Sequence, residues 1–315
     1  MPAITATAPG KIILFGEHAV VYGRPAIAAP VGQVRARVVV QGEPRAEEGD
    51  IRIGAPDIEL EAGLEALPAE HPLSQAVRCV LEELGIARAP ACSIRITSTI
   101  PMAAGLGSGA AVSVALVRAF SAFLGHPLDD RRVSDLAFEI DKLYHGTPSG
   151  IDNTVITFNL PVFFTRGRPV ETIPVATPFT IVIGDTGIAS PTARVVGDVR
   201  SLWQASPDRY EQLFDAAGRI AQAARQAIED GRPQAMGPLM DENHALLQAM
   251  GVSSPELDRL VEAARQAGAL GAKLSGGGRG GNMIALVEAS SAEGVAQALE
   301  SQGATHTLIT HVETQ

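Results

Sequence analysis

The stretch "AAGLGSGAAVSV", residues 103–114, sets three glycines around Ser108 directly before a run of small apolar residues. Nothing in it is large, charged or aromatic. Three readings compete: a dinucleotide grip, a triphosphate grip, or a tight strand-to-helix turn without chemistry. A glycine loop that opens a helix exposes backbone N–H groups with no intrahelical partner, and the helix dipole adds positive potential at the same end. Small residues let phosphate oxygens approach that backbone closely.

Gly105, Gly107 and Ala110 satisfy the dinucleotide pattern G-x-G-x-x-A, and Asp129 and Asp130 follow at a tolerable distance. Two features oppose that reading. A Rossmann strand is buried on both faces and reads as continuously apolar, whereas "SIRITSTI" before the loop alternates. The helix should also lead into a second parallel strand, but residues 125–144 read as loop and helix. A G-x-x-x-x-G-K-[ST] loop occurs nowhere in the chain. An anion-binding helix start or a plain turn remains.

The totals narrow the partners. The chain has 315 residues, 46% hydrophobic and 19% charged, which makes it globular and long enough for two domains. Aromatics supply 4%, so Ala, Val, Leu and Ile must build most of the core. A formal charge of −10 opposes nucleic-acid and anionic-membrane surfaces, which need basic patches. Cys79 and Cys92 are read as buried free thiols suited to a reducing cytosol. No charged n-region precedes a long apolar stretch at the N-terminus, and Arg118 interrupts the best apolar run. The expectation is a soluble cytoplasmic protein.

The pattern along the chain predicts a mixed α+β protein. Residues 4–15 read as a strand broken at "APGK"; 33–42 and 92–100 alternate as half-buried strands around a helix over 71–85. Helices follow over 108–123 and 131–144, and "NTVITFNLPVFF" (153–164) returns to strand character. "FTIVIGDTGI" (179–188) opens a second unit, with helices near 208–229, 233–249, 255–267 and 290–301, a strand at 282–287 and a closing strand "THTLITHVE". The expected domains are 1–178 and 179–315.

Three more segments carry chemistry-bearing residues. "APGKIILFGEHAVVYG" (8–23) places Lys11 among apolar residues ahead of Glu17 and His18. "DKLYHGTPSGIDN" (141–153) places Asp141 and His145 one helical turn apart, then Ser149 and Asp152 in a Gly/Pro-rich loop. "AKLSGGGRGGNMIAL" (272–286) sets five glycines around Arg279 and runs into an apolar strand. Singly, each has an ordinary reading as a surface lysine, a helix exit or a connector.

Together, and in this order, the four segments resemble the GHMP small-molecule kinases, most closely the mevalonate kinase branch. The resemblance spans Pro9 to Met283, and "HGTPSGIDN" is its most specific element. It implies an N-terminal domain like ribosomal S5 domain 2 and a C-terminal ferredoxin-like α/β sandwich. It implies ATP-dependent phosphorylation of the C5 hydroxyl of mevalonate, with Asp152 as catalytic base and Lys11 stabilising the transferring group. Gly105, Leu106, Gly107, Ser108, Gly109 and Ala110, with Gly276 and Gly277, would hold ATP. Glu17, His18, Ser149 and Thr192 would hold the substrate, and Ser108 and Asp141 would hold Mg²⁺. The resemblance leaves room for a homodimer. Two positions depart from the pattern: Gly109 stands where the family usually has a second serine, and Asp141 where it has glutamate. Alternatives are a relative acting on phosphomevalonate or on the 3-hydroxyl of mevalonate, and a catalytically silent ligand-binding relative. "HGTPSGIDN" with Lys11 speaks against the first two, and Lys11 with Asp152 against the third.

Overall fold

The computed structural model describes residues 3–101, 105–145, 150–190 and 192–313, without the side chains of residues 143–145 and 193. The chain forms two compact units, each assembled from separate segments. The first comprises Met1–Gly10, Val34–Pro101 and Gly107–Asn159; the second comprises Lys11–Gln33, Met102–Leu106 and Leu160–Gln315. Two long strands, β1 (Ile4–Phe15) and β2 (Ala26–Gly42), contribute residues to both. β1 runs unbroken through "APGK", because Pro9 tolerates an extended backbone and need not end a strand.

In the first unit, β2 pairs antiparallel with β5 (Cys92–Ser98), with Val38 opposite Ile96 and Val40 opposite Ile94. β3 (Ile51–Ala55) lies parallel to β5, and β4 (Leu60–Gly63) completes the order β4-β3-β5-β2. Alternation decides which face is covered. Ala36, Val38, Val40, Ile94 and Ile96 are buried, while Arg37, Arg95 and Arg52 point outward. Helices α1 (Pro72–Glu83), α2 (Ser108–Phe123), α3 (Asp130–His145) and α4 (Ile151–Phe158) accompany the sheet. The four pack as α1·α2, α1·α3, α2·α3, α2·α4 and α3·α4. Phe120 on α2 is fully buried, contributing about 1.5–3 kcal/mol relative to exposure. Arg118, which breaks the apolar run of α2, is held by Thr157 O at 2.7 Å and Asp130 Oδ1 at 2.6 Å.

The strand expected over 153–164 is corrected here. "IDNTVITF" is helix α4, and only Val162–Phe164 is a strand, β6. The β-branched residues favour extended backbone locally, but Val155 and Ile156 are fully buried where α4 packs on α2 and α3. Tertiary burial overrides the local preference.

In the second unit, β6 pairs with Ala26–Ala28 of β2 and with β7 (Glu171–Thr172). A separate antiparallel sheet is formed by β8 (Phe179–Asp185), β9 (Gly271–Ser275), β10 (Asn282–Val287) and β11 (His306–Val312), in the order β11-β8-β10-β9. Between β8 and β9 run α5 (Thr192–Ala205), α6 (Pro207–Glu229), α7 (Met236–Ala249) and α8 (Pro255–Gln266); α9 (Ala292–Ser301) joins β10 to β11. Numbered within this sheet the strand order is 4-1-3-2, the ferredoxin-like arrangement, with additional helices in the first crossover. The expected α+β class stands. Helix α5 lies outside the expected set, and Cys79 is half-buried rather than buried, whereas Cys92 is buried. Among the described residues, no helix is long and apolar enough to cross a membrane.

β9 is buried along its whole length, between α7 and α8 on one side and its pairing with β10 on the other. Its closest neighbour is backbone: a Cβ on Gly271 would collide with Gly237 O of α7, and one on Gly237 with Leu270 O. Gly271→Ala should therefore lower the unfolding free energy by about 1–3 kcal/mol, the usual cost of overpacking. Gly54→Ala on β3, where a Cβ meets nothing, should stay within about 0.5 kcal/mol of the wild type. Paired urea titrations check both, and equal midpoints for the two variants would contradict the close approach.

Candidate active site

The glycine loop of the first unit ends as the sequence suggested. Gly107 is the N-cap of α2 at φ +74° and offers no side-chain cap, and Gly105 also has positive φ, at +73°. At α1 and α8 a side chain caps the helix itself: His71 Nδ1 accepts from Leu73 N, and Ser254 Oγ from Leu257 N. At α2 the first backbone acceptor is Gly107 O, which takes Ala111 N at 3.0 Å. The amides of Ser108, Gly109 and Ala110 therefore point out of the helix start with the positive end of its dipole behind them. Ser108 and Gly109 are half-buried and Ala110 is buried. Gly109 carries ordinary helical backbone rather than positive φ. Ala103 and Ala104 lie outside the described residues.

Helices α3 and α4 bring two carboxylates to the same packed set. Asp141 is buried, at 6% exposure, near the C-terminal end of α3. Asp152 is half-buried in the first turn of α4, behind a second glycine N-cap, Gly150 at φ +88°. A helix start favours an anionic side chain. Asn153 fixes α4 against α3, its Nδ2 donating to Ser134 O at 3.0 Å and Ser134 Oγ at 2.8 Å. Because α2, α3 and α4 pack on one another, the amide cluster, Asp141 and Asp152 ride on one rigid scaffold. Ser149 lies outside the described residues.

The second unit gathers a different set. Lys11 is half-buried on β1, and its N–H donates to Leu106 O at 2.9 Å, tying the loop to the strand. Farther along, β1 ends in a tight turn at Gly16, whose φ of +92° and contact with the Pro25 carbonyl leave no room for a Cβ. That turn presents Glu17 and His18, both buried, at 4% and 5% exposure. His18 itself sits at φ +59°, an uncommon conformation for a non-glycine residue. Its Nε2–H donates to Gly277 O at 3.0 Å, so the structure brings this residue to the second glycine loop. Burial pushes the His18 pKa down to about 4, with Arg279 and Lys273 adding repulsion, so the ring is neutral at physiological pH.

Gly276 has positive φ, +87°, and Gly277 is packed against Ser190 Oγ and Thr192 Oγ1. Ser190 Oγ donates to Gly278 O at 2.8 Å, and Thr192 begins α5 beside it. Arg279, at φ +54°, is anchored by Asp198 and by Gly251 O, which makes the loop a fixed turn rather than a connector.

One residue escaped the sequence reading. Lys273 on β9 is fully buried and pairs with Glu17 Oε1, while its Nζ also donates to Leu274 O at 2.7 Å. Its signal was a lysine between apolar residues in a strand, the same signal that marked Lys11. Burial pushes its pKa down and the Glu17 carboxylate opposes that shift. Behind it, His244 accepts from Leu274 N at 3.3 Å and donates to Asp258 Oδ1 at 3.1 Å, with its pKa pushed down to about 4 by burial.

Comparison with known proteins gives this geometry a context. The family model for the N-terminal domain of GHMP kinases matches residues 71–159, and that for the C-terminal domain matches 224–305. The chain is 38% identical to the mevalonate kinase of Thermococcus sibiricus, covering 95% of this chain and 93% of that one. It is likewise 38% identical to the Pyrococcus furiosus mevalonate kinase, covering 96% and 94%. The crystal structure of L. major mevalonate kinase in complex with R-mevalonate superposes with a TM-score of 0.85 at 31% identity, covering 99% and 96%.

The two buried histidines make stability pH-dependent. Each has a folded pKa of about 4 against 6.5 in the unfolded chain. Between those values the unfolded chain binds protons that the folded chain does not. Their contribution is therefore whole above pH 6.5 and is lost as pH falls toward 4. Urea unfolding across that window should show stability falling with pH, and His244→Gln should reduce the slope by about half, one of two equivalent groups being removed. An unchanged slope in the variant would remove His244 from the account.

Proposed function

Because the chain belongs to the GHMP kinases, we propose that it transfers the γ-phosphoryl group of ATP to the C5 hydroxyl of mevalonate, giving 5-phosphomevalonate and ADP. The observation that carries the substrate is the 38% identity to mevalonate kinases over nearly the full length of both chains. The L. major relative at 31% identity was crystallised with R-mevalonate, which supports the same acceptor. The presence of both Lys11 and Asp152 speaks against a silent relative.

The roles follow from the chemistry of phosphoryl transfer, where positioning and charge neutralisation supply most of the catalysis. The amides of Gly107–Ala110 and the Gly276–Gly277 turn receive ATP phosphate oxygens, with Gly105 and Leu106 shaping the approach. Asp152 accepts the proton of the C5 hydroxyl as that oxygen bonds to the γ-phosphorus and the bond to the bridging oxygen of ADP breaks. Lys11 stabilises the negative charge on the transferring group. His18 and Glu17 hold the acceptor, with Ser149 and Thr192 contributing to its loop and its surroundings. Asp141 and Ser108 fit a hard divalent cation in donor chemistry, since both offer oxygen and sit on the packed helices α2 and α3. Mg²⁺ bound there would neutralise phosphate charge. In domain terms, the division at 178/179 is supported by the ferredoxin-like sheet, whose first strand begins at Phe179. A cytoplasmic location is supported by Cys79 and Cys92, both free.

A coupled ADP-release assay across mevalonate, phosphomevalonate, homoserine and galactose tests the reading. Turnover confined to mevalonate is expected, and turnover only with another acceptor would replace it. Asp152→Asn should lower kcat by about 10²–10⁴ while ATP still binds; near wild-type turnover would remove Asp152 from the mechanism.

The metal positions yield a second test. Gly109 has helical backbone without positive φ, so serine there meets no conformational penalty of the kind a left-handed position imposes. Gly109→Ser with Asp141→Glu should lower the Mg²⁺ concentration needed for half-maximal activity, with metal-free ATP affinity unchanged. If that concentration does not fall, neither position limits metal binding.

A further inference from the structure

Lys273 has no place in the roles above, yet among the described residues it is the most completely enclosed charged side chain. Its side chain is 0% exposed, and the Glu17 side chain facing it is 2% exposed. Nζ is placed by Glu17 Oε1, by Leu274 O at 2.7 Å and by the Phe15 ring, whose centroid lies 6.0 Å away. A buried ion pair of this kind is poor evidence of a stabilising device. Desolvating two charges costs several kcal/mol each, and apolar pairs of similar volume are commonly as stable or more so.

The pair is also incomplete. Glu17 Oε2 is buried without a hydrogen-bond partner among the described residues. A buried carboxylate oxygen left unpaired costs free energy unless a donor meets it. A carboxylate only accepts, so the missing group must be a donor, which excludes a phosphate or a second ionised carboxylate. Mevalonate offers two donors, its hydroxyls. On the reading above, the C5 hydroxyl gives its proton to Asp152, which leaves the 3-hydroxyl.

The backbone around the pair is built to hold it still. Ser275 Oγ donates to Ile13 O at 2.7 Å, and His18 Nε2–H to Gly277 O at 3.0 Å. Residues 273, 275 and 277 thus tie β9 and its loop to residues 17, 13 and 18 at three successive points. Two of these bonds act on side chains proposed to meet substrate, Glu17 and His18, and Lys273 is the member that makes its bond with a charged side chain of its own.

We infer that Lys273 is a positioning residue for acceptor recognition: it fixes the Glu17 carboxylate through Oε1 and so directs Oε2 to the 3-hydroxyl of mevalonate. The inference rests on the proposed function and adds to it the residue that reads the tertiary hydroxyl.

The test removes the pair as a pair. Lys273→Met combined with Glu17→Met replaces the two charges by apolar side chains of similar length, which should preserve the thermal midpoint. KM for mevalonate should rise roughly 10- to 100-fold, the size of one hydrogen bond to a charged group, while KM for ATP stays within about twofold. For 3-methyl-5-hydroxypentanoate, which lacks the 3-hydroxyl, wild type and double variant should have equal KM. Lys273→Arg, which keeps the cation, should restore most of the mevalonate affinity to a chain with Glu17 intact. Glu17→Asp keeps the charge but withdraws it by one methylene. It should raise the same KM, and it covers the case in which the double variant does not fold. If wild type phosphorylates mevalonate but the double variant, or Glu17→Asp, retains its KM, the pair is structural and the inference is wrong. If wild type does not phosphorylate mevalonate at all, the proposed function fails instead.

Discussion

The burial of one ammonium group organises the second unit. Lys273 lies on a strand with no exposed residue, so its charge must be met inside the protein. The partner comes from 256 residues earlier in the chain, at a turn that Gly16 makes tight enough to aim Glu17 inward. Everything that encloses β9 serves the same enclosure. α7 approaches so closely that Gly237 and Gly271 have to lack side chains, and α8 packs alongside. His244 on α7 then takes the Leu274 amide, with Asp258 at the start of α8 holding the ring. A polar network this deep is costly when incomplete and specific when complete. Its members fix the register of β9 against the 13–18 segment more narrowly than apolar packing would.

The first unit solves a different problem with different means. A polyphosphate is large, strongly charged and geometrically tolerant, so it is met best by several backbone amides. That requires helix starts whose amides are not spent on their own caps, which is what glycine at the N-cap of α2 leaves. The glycine before α4 does the same at a second helix start, and there Asp152 supplies the anion from within the chain. On the proposed reading, an acidic protein holds an acidic ligand because the positive potential at a helix start is local and comes from peptide dipoles.

Much of this was legible in the sequence, for identifiable reasons. The helix over 108–123, the helix near 131–144 and the strands at 92–100 and 282–287 carry strong periodicity, and the structure places them within a residue or two. Glycine clusters before apolar runs marked both loops. Helix α4 was misread because its β-branched residues speak locally for a strand, and the burial that overrides them comes from helices distant in sequence. Helix α5 was missed because its first turn mixes polar and small residues and its exposed face carries Arg194 and Arg200. Lys273 does not stand out in the sequence, since nothing local distinguishes a buried lysine from one whose stem lies on a surface. Only a long-range partner, Glu17, makes that difference, and sequence periodicity does not report it.

The two kinds of recognition therefore differ in how far a sequence can reveal them. Phosphate binding, as proposed, rests on a short contiguous segment, so its signature is compact, and residues 105–110 display it without help from the rest of the chain. Recognition of a small hydroxy acid has to discriminate among acceptors of similar size, and a site does so by leaving a buried polar group that only the right donor completes. Such a group must be enclosed by segments from across the fold, as Glu17 is by β9. Its selectivity comes from the cost of leaving Oε2 unpaired when the hydroxyl is absent. The residue that sets this cost need not touch substrate at all, which is why the lysine behind the carboxylate is as much a part of the discrimination as the carboxylate itself.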